Sequence, residues 1–312
     1  MRINPIVRFS AAIAFALTVG GKAYATDYLI TLKAPTVEGQ DSNVPLRGYK
    51  GAFKHKPFTY LENWWTSWSD LNSNVTLQAG DNVYFGPGVN IGNITIATSG
   101  INLYGNNKDC LGWYGTDTQR QSAQTRLEET RVTGRITLDE NVSNVTIAGF
   151  YFTGAGQVYA NGRDNNNIQV LNNVIENINA QPNNTTERED NWAVFYFGKA
   201  YRGSDYASAA AYNRYRDITI AHNDFRGRDI DNEADWIQVA GSCGNLHIHD
   251  NHFLYGGDGV NVFNAKDKVN ILHNRFDKVG NGKVYAISAE KKRHRLVCRA
   301  SVHNGCRQEL SR

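Results

Sequence analysis

The sequence predicts an all-β solenoid: a single-stranded, right-handed parallel β-helix of about 23 residues per coil. Three observations predict it. First, one short phrase recurs, in which two alternating apolar residues precede an Asn and then an aromatic or aliphatic residue. Its copies are Ile168, Val170, Asn173 and Ile175; Ile218, Ile220, Asn223 and Phe225; Leu246, Ile248, Asn251 and Phe253; and Val269, Ile271, Asn274 and Phe276. Val145, Ile147, Phe150 and Phe152 form another copy, with Phe in the Asn place. Second, the marker positions 150, 173, 223, 251 and 274 are spaced by 23, 50, 28 and 23; reading 50 as two coils plus an inserted loop gives one repeat throughout. Third, each copy holds short strands and turns without helical periodicity. A strand-built repeat of that length buries its apolar face only by stacking on its neighbours.

Residues 1–25 read as a secretory signal peptide. Arg2 and Arg8 mark the charged region, 11–19 is an apolar run too short to span a bilayer, and Ala23-Tyr24-Ala25 is a small-x-small cleavage site. The expected location is therefore secreted or periplasmic, with no transmembrane segment. Residues 26–73 read as an N-terminal cap. The alternating run 28–32 opens it, and Trp64, Trp65 and Trp68 follow. These tryptophans suit either a plug over the open end of the solenoid or a sugar-stacking platform. The plug is preferred because they precede the first coil.

Residues 74–290 read as the β-helix. Val83-Tyr84-Phe85, Ile94-Thr95-Ile96 and Ile101-Asn102-Leu103 supply early strands, punctuated by Gly80-Asp81, Gly86-Pro87-Gly88 and Ser99-Gly100. The polar stretch 106–131 is an insertion, and strands restart at 134–138. A larger insertion, 181–215, holds one strand at 193–197 and a short helix near 208–212. Residues 291–312 carry seven Lys or Arg and no copy of the phrase, and read as a basic tail.

The formal charge of +3 comes from the two ends. Without Arg2, Arg8, Lys22 and residues 291–312, the body has 23 basic and 29 acidic residues. A basic groove for nucleic acid is thereby excluded as an expectation. The chain has 29 Gly and 6 Pro, as many tight turns require. Cys110, Cys243, Cys298 and Cys306 match no metal-ligand spacing, while Cys298 and Cys306 are close enough for a local disulfide.

Of the residues with chemical potential, the column Asn173, Asn223, Asn251 and Asn274 is read as structural, since stacked asparagines satisfy each other and the turn backbone. His247 and His249 leave one face of a strand and could hold a metal. The coils on either side offer Thr219, Ala221, Asn270 and Leu272 there, so they read as surface histidines. Glu233, Asp235 and Asp258 are the chemical candidates. Asp235 and Asp258 are 23 apart and in the same phase, which places them about 4.8 Å apart on stacked strands. Carboxylates so close share a proton or bind a cation.

Glu233-x-Asp235-x-Ile237 at a strand start, followed by Asn251 and a Gly-rich strand entry, resembles the chondroitinase B and alginate lyase family of β-helical polysaccharide lyases. The resemblance implies a pectate-lyase-like solenoid and calcium held by Glu233, Asp235 and Asp258. It also implies an acidic, uronate-containing polysaccharide as partner, and β-elimination after abstraction of the C5 proton. The family's Lys position is Ala240 here and its Arg position is Phe263. Lys266 is then the nearest replacement base, beside Asp235 and Asp258 as catalytic candidates, with Lys199, Arg202, Gln238 and Asn261 as substrate contacts. Two alternatives accompany this reading: a hydrolase using Asp235 and Asp258 as acid and base, and a non-catalytic, adhesin-like or glycan-binding β-helix. A monomer is expected in each case.

Overall fold

The computed structural model describes residues 25–32, 64–86, 88–105, 129–160, 164–178, 193–198, 214–227, 235–256, 259–265, 269–279, 287–290 and 296–303. They form predominantly parallel β-structure consistent with a β-helix. Nearly every strand pairs with its counterpart in the next rung rather than with its neighbour in sequence.

Three parallel sheets result. The first contains Asp27–Ile30, Asn82–Phe85, Asn102–Tyr104, Ser143–Ala148, Asn166–Leu171, Arg214–Ala221, Leu246–His249 and the first half of Val269–Asp277. The second contains Asn90–Ile91, Arg131–Val132, Tyr151–Gly154, Val174–Ile178, Asp224–Arg226, His252–Leu254 and the rest of Val269–Asp277. The third contains Ile94–Ile96, Arg135–Leu138, Gln157–Ala160, Ala193–Phe197, Asp235–Gly244, Val260–Ala265 and Ile287–Glu290.

The register corrects one expectation. Val170 pairs with Ile220, and Asn173 bonds directly to Asn223 at 3.0 Å. The 50-residue spacing is therefore a single rung, not two coils and a loop. Only one strand of each sheet lies between the markers, and the remaining length lies in segments outside the described residues. A second correction concerns the end of the chain. Leu296–His303, read as tail, pairs in parallel along Val269–Asp277. Leu296, Cys298 and Val302 stand in register with Val269, Ile271 and Phe276, and Ala300 with Asn274. The phrase recurs there without its Asn, which hides it from pattern reading.

Inward positions make one continuous core. Val145, Ile147, Ile168, Val170, Ile218, Ile220, Leu246, Ile248 and Ile271 are almost fully buried, each contributing about 1.5–3 kcal/mol. Phenylalanines run along the axis: Phe225 stacks on Phe253 and Phe253 on Phe276, with centroids 4.6 Å apart in both pairs. Such pairs add roughly 0.5–1.5 kcal/mol beyond the area buried.

The corner between the first and second sheets is built from two stacked columns. One carries left-handed backbone: Gly149, Asn172, His222, Asp250 and His273 have φ between 53° and 78°. The next is the Asn column, with all four side chains wholly buried. Asn173, Asn223 and Asn251 each donate to the Oδ1 of the next Asn at 2.9–3.0 Å. Each also donates to a strand carbonyl, of Ile147, Val170 and Ile220 respectively. The structural reading of this column is thus observed directly.

At the N-terminal end, Trp64–Trp65 pairs with Asp27–Ile30. The helix Trp68–Asn74 starts at Ser67, whose Oγ accepts the Asp70 amide. Leu71 is fully buried and Trp68 stacks on Phe85 at 6.5 Å. Trp65 and Trp68 pack against the main core.

Candidate functional site

The acidic site predicted from the sequence is described only in part. Asp235 begins the strand Asp235–Gly244, is 6% exposed, and pairs through its backbone with Ala193. Ile237 pairs with Val260, which keeps the 23-residue offset at that strand. Glu233, Asp258, Lys266, Lys199 and Arg202 lie outside the described residues. Of the expected substrate contacts, the structure brings Gln238 and Asn261 together as register partners on the third sheet. Both are buried. Gln238 lies between Ile237 and Val239, which enter the core, so its side chain leaves the opposite face. Its Nε2 is buried without a hydrogen-bond partner among the described residues.

Farther along the same face, Tyr159 and Tyr196 are stacked 5.1 Å apart and nearly parallel. The Arg135 guanidinium lies 4.2 Å from the Tyr159 ring centre, and Arg135 Nε donates to Gln157 Oε1 at 2.8 Å.

At the corner from the second sheet to the third, Tyr255 and Lys278 occupy equivalent positions in successive rungs, following the register pair Leu254 and Asp277. Lys278 Nζ donates to Tyr255 Oη at 3.0 Å. Both residues have left-handed backbone, with φ of 56° and 54°. Side chains this bulky rarely adopt it, at a cost on the order of 1–3 kcal/mol each, and such strain concentrates at functional sites. The Tyr255 contact holds Lys278 above its ordinary lysine value, so Lys278 is a cation at neutral pH. Trp236 Nε1 donates to the Tyr255 carbonyl at 2.7 Å. That bond ties this corner to the strand carrying Asp235.

Behind the corner lies a charged network that sequence reasoning missed. His252 Nδ1 is 2.8 Å from Asp224 Oδ1, and His252 Nε2 is 3.0 Å from Asp277 Oδ2. Arg226 grips Asp224 Oδ2 through Nε and Nη2 at 2.9 and 2.7 Å, and Arg275 Nε meets Asp277 Oδ2 at 2.6 Å. Burial pushes both carboxyls up, but the His252 hydrogen bonds and the Arg226 and Arg275 charges outweigh it and hold Asp224 and Asp277 below the ordinary carboxylate value. Two ionised carboxylates only accept, so both ring contacts are satisfied by a doubly protonated His252. The network fixes the second sheet and orients Asp277 beside Lys278. The available signal was the pair of positions flanking each buried Phe, 224 and 226, 252 and 254, 275 and 277, which all leave the core.

Of the two surface histidines singled out, His247 takes a bond from Asn270 at 3.1 Å, whereas His249 Nδ1 faces Asp250 Oδ2 at 2.8 Å. Comparisons with protein-family models, with curated proteins and with solved structures give no match for this chain.

Proposed function

We propose that this is a secreted carbohydrate-active protein on a right-handed, pectate-lyase-like β-helix, which cleaves an acidic, uronate-containing polysaccharide by β-elimination. The observation that carries this reading is the Tyr255–Lys278 pair. It supplies a proton-transfer group and a fixed cation at the corner tied to Asp235, where Ala240 and Phe263 replace the basic residues of the lyases the sequence resembles.

In this reading the Tyr255 oxygen removes the proton at C5, α to the uronate carboxylate. Lys278, a cation, cannot take that proton; its charge stabilises the carbanion that follows. The C5–H electrons form the C4–C5 double bond, the C4–O4 bond breaks, and the departing oxygen receives a proton from the Tyr255 hydroxyl. Arg135 and Tyr159, with Gln238 and Asn261, are proposed to seat neighbouring sugars along the third sheet. Glu233, Asp235 and Asp258 would supply the oxygens for the calcium that the resemblance implies, and no step above passes through it.

The test is incubation of the purified protein with alginate, chondroitin and pectin while following absorbance of unsaturated uronate ends. New reducing ends without unsaturation would instead support hydrolysis. Glycan binding with neither product would support the non-catalytic reading, which Ala240 and Phe263 favour.

A further inference from the structure

The left-handed corner column carries a second chemistry. Three of its stacked positions are His222, Asp250 and His273, where lower rungs have Gly149 and Asn172. Each rung displaces such a residue by about 4.8 Å along the axis, so side chains that bind metals are aligned on the outside of one edge. His249 joins them from the end of the strand Leu246–His249. Its register neighbours are Ala221 and Leu272, neither of which competes for a ligand.

The ligand atoms of His222, His249 and Asp250 all lie within 4.8 Å of one another. The rings of His222 and His249 meet edge to face, with centroids 5.6 Å apart. Asp250 uses both oxygens within the group: Oδ2 faces His249 Nδ1 at 2.8 Å, and Oδ1 lies 3.9 Å from His273 Nδ1. His273 is the outermost member, its side chain 65% exposed.

We propose that His222, His249 and Asp250 bind a divalent transition metal such as zinc at this edge, with His273 able to swing in as fourth ligand. Two or three imidazoles and one carboxylate are donors for zinc, copper or nickel, and a poor match to calcium or magnesium, which require oxygen. The metal takes the place of the proton between His249 and Asp250. Metal–ligand distances of about 2.0–2.2 Å are reached by side-chain rotation at a half-exposed corner, with no movement of the Asn column behind it. The ligands come from two rungs, or three with His273, and the ion therefore staples the rungs together. It is separate from the acidic calcium set expected at the third sheet and does not depend on the proposed catalysis.

The experiment is zinc titration by calorimetry of the tag-free, chelator-treated full chain, with thermal unfolding in parallel. One equivalent of zinc is expected, together with a raised melting temperature. His222→Asn installs the residue that Asn172 already carries at this position in the rung below, so the backbone is preserved. It should weaken zinc binding at least about tenfold, as should His249→Gln, while His247→Gln leaves it unchanged. Cobalt loading should give the intense visible bands of a low-coordinate site. Lack of stoichiometric binding by the parent chain, or binding undiminished in both His222→Asn and His249→Gln, overturns the proposal.

Discussion

Lys278 Nζ and Tyr255 Oη stand 3.0 Å apart on adjacent rungs, at the same turn position. Each is held in left-handed backbone, which costs a bulky side chain on the order of 1–3 kcal/mol. If this pair transfers the proton, Tyr255→Phe deletes the acceptor oxygen while keeping the ring. Turnover of the responsive uronan should fall at least about a hundredfold, with melting temperature nearly unchanged. Lys278→Met should give a comparable loss, and Lys278→Arg a partial rescue. Equal activity in Tyr255→Phe would remove the pair from the mechanism.

The Asp224–His252–Asp277 network predicts an acid-labile fold. A carboxyl held below its ordinary value in the folded state stabilises that state fully above the ordinary value, and the contribution disappears as pH falls toward the folded one. Both Asp224 and Asp277 are shifted in this direction. Melting temperature should therefore decline as pH falls below about 4. Asp224→Asn leaves Arg226 and His252 buried beside a neutral partner, and should cost about 3 kcal/mol at neutral pH. Its acid decline should be shallower than that of the parent, because one shifted group is gone. Melting curves across pH for both proteins measure this.

The scaffold was legible because solenoid stacking repeats one solution to one problem. Ile147, Val170, Ile220, Ile248 and Ile271 meet the same core wall, and the Asn beside that wall meets the same corner backbone. Insertions broke the count, as between Asn173 and Asn223, without breaking the register. The rung at Leu296–His303 was hidden because Ala300 replaces the marker. Chemistry was less legible. Outward residues answer to their neighbours in space, so Asp224, His252 and Asp277 look unrelated until the rungs are aligned. The metal candidates show the same thing: reading His247 and His249 along one strand face offered no third ligand, because His222 and Asp250 come from the turn.

The Asn column predicts an unusually costly single substitution. Asn251 Oδ1 accepts both the backbone and side-chain N–H of Asn223, each at 3.0 Å, while its own amide serves Ile220 and Asn274. Asn251→Ala strands donors and acceptors in a site with no solvent access. At about 1–3 kcal/mol per unsatisfied group, a loss of at least about 3 kcal/mol is expected in denaturant unfolding. Asn251→Asp should be equally damaging, since a carboxylate cannot donate to Ile220 and Asn274.

Gly256 tests whether the Tyr255 corner is set by its neighbour Trp236. Its backbone has φ of 110°, and a Cβ built there would lie 2.5 Å from Trp236 Nε1. That nitrogen makes the bond to the Tyr255 carbonyl, and the indole is buried and packs against Phe225 at 5.5 Å. Gly256→Ala must therefore combine backbone strain with displacement of the indole, at a cost of about 2 kcal/mol or more. If the proposed chemistry is right, turnover should fall further than stability does, because Tyr255 moves with the carbonyl it loses. Trp236→Phe separates the two effects: it removes the bond and relieves the clash, so Gly256→Ala should be milder in that background. An unchanged penalty in the double variant would show that backbone strain alone, rather than the indole, fixes this corner.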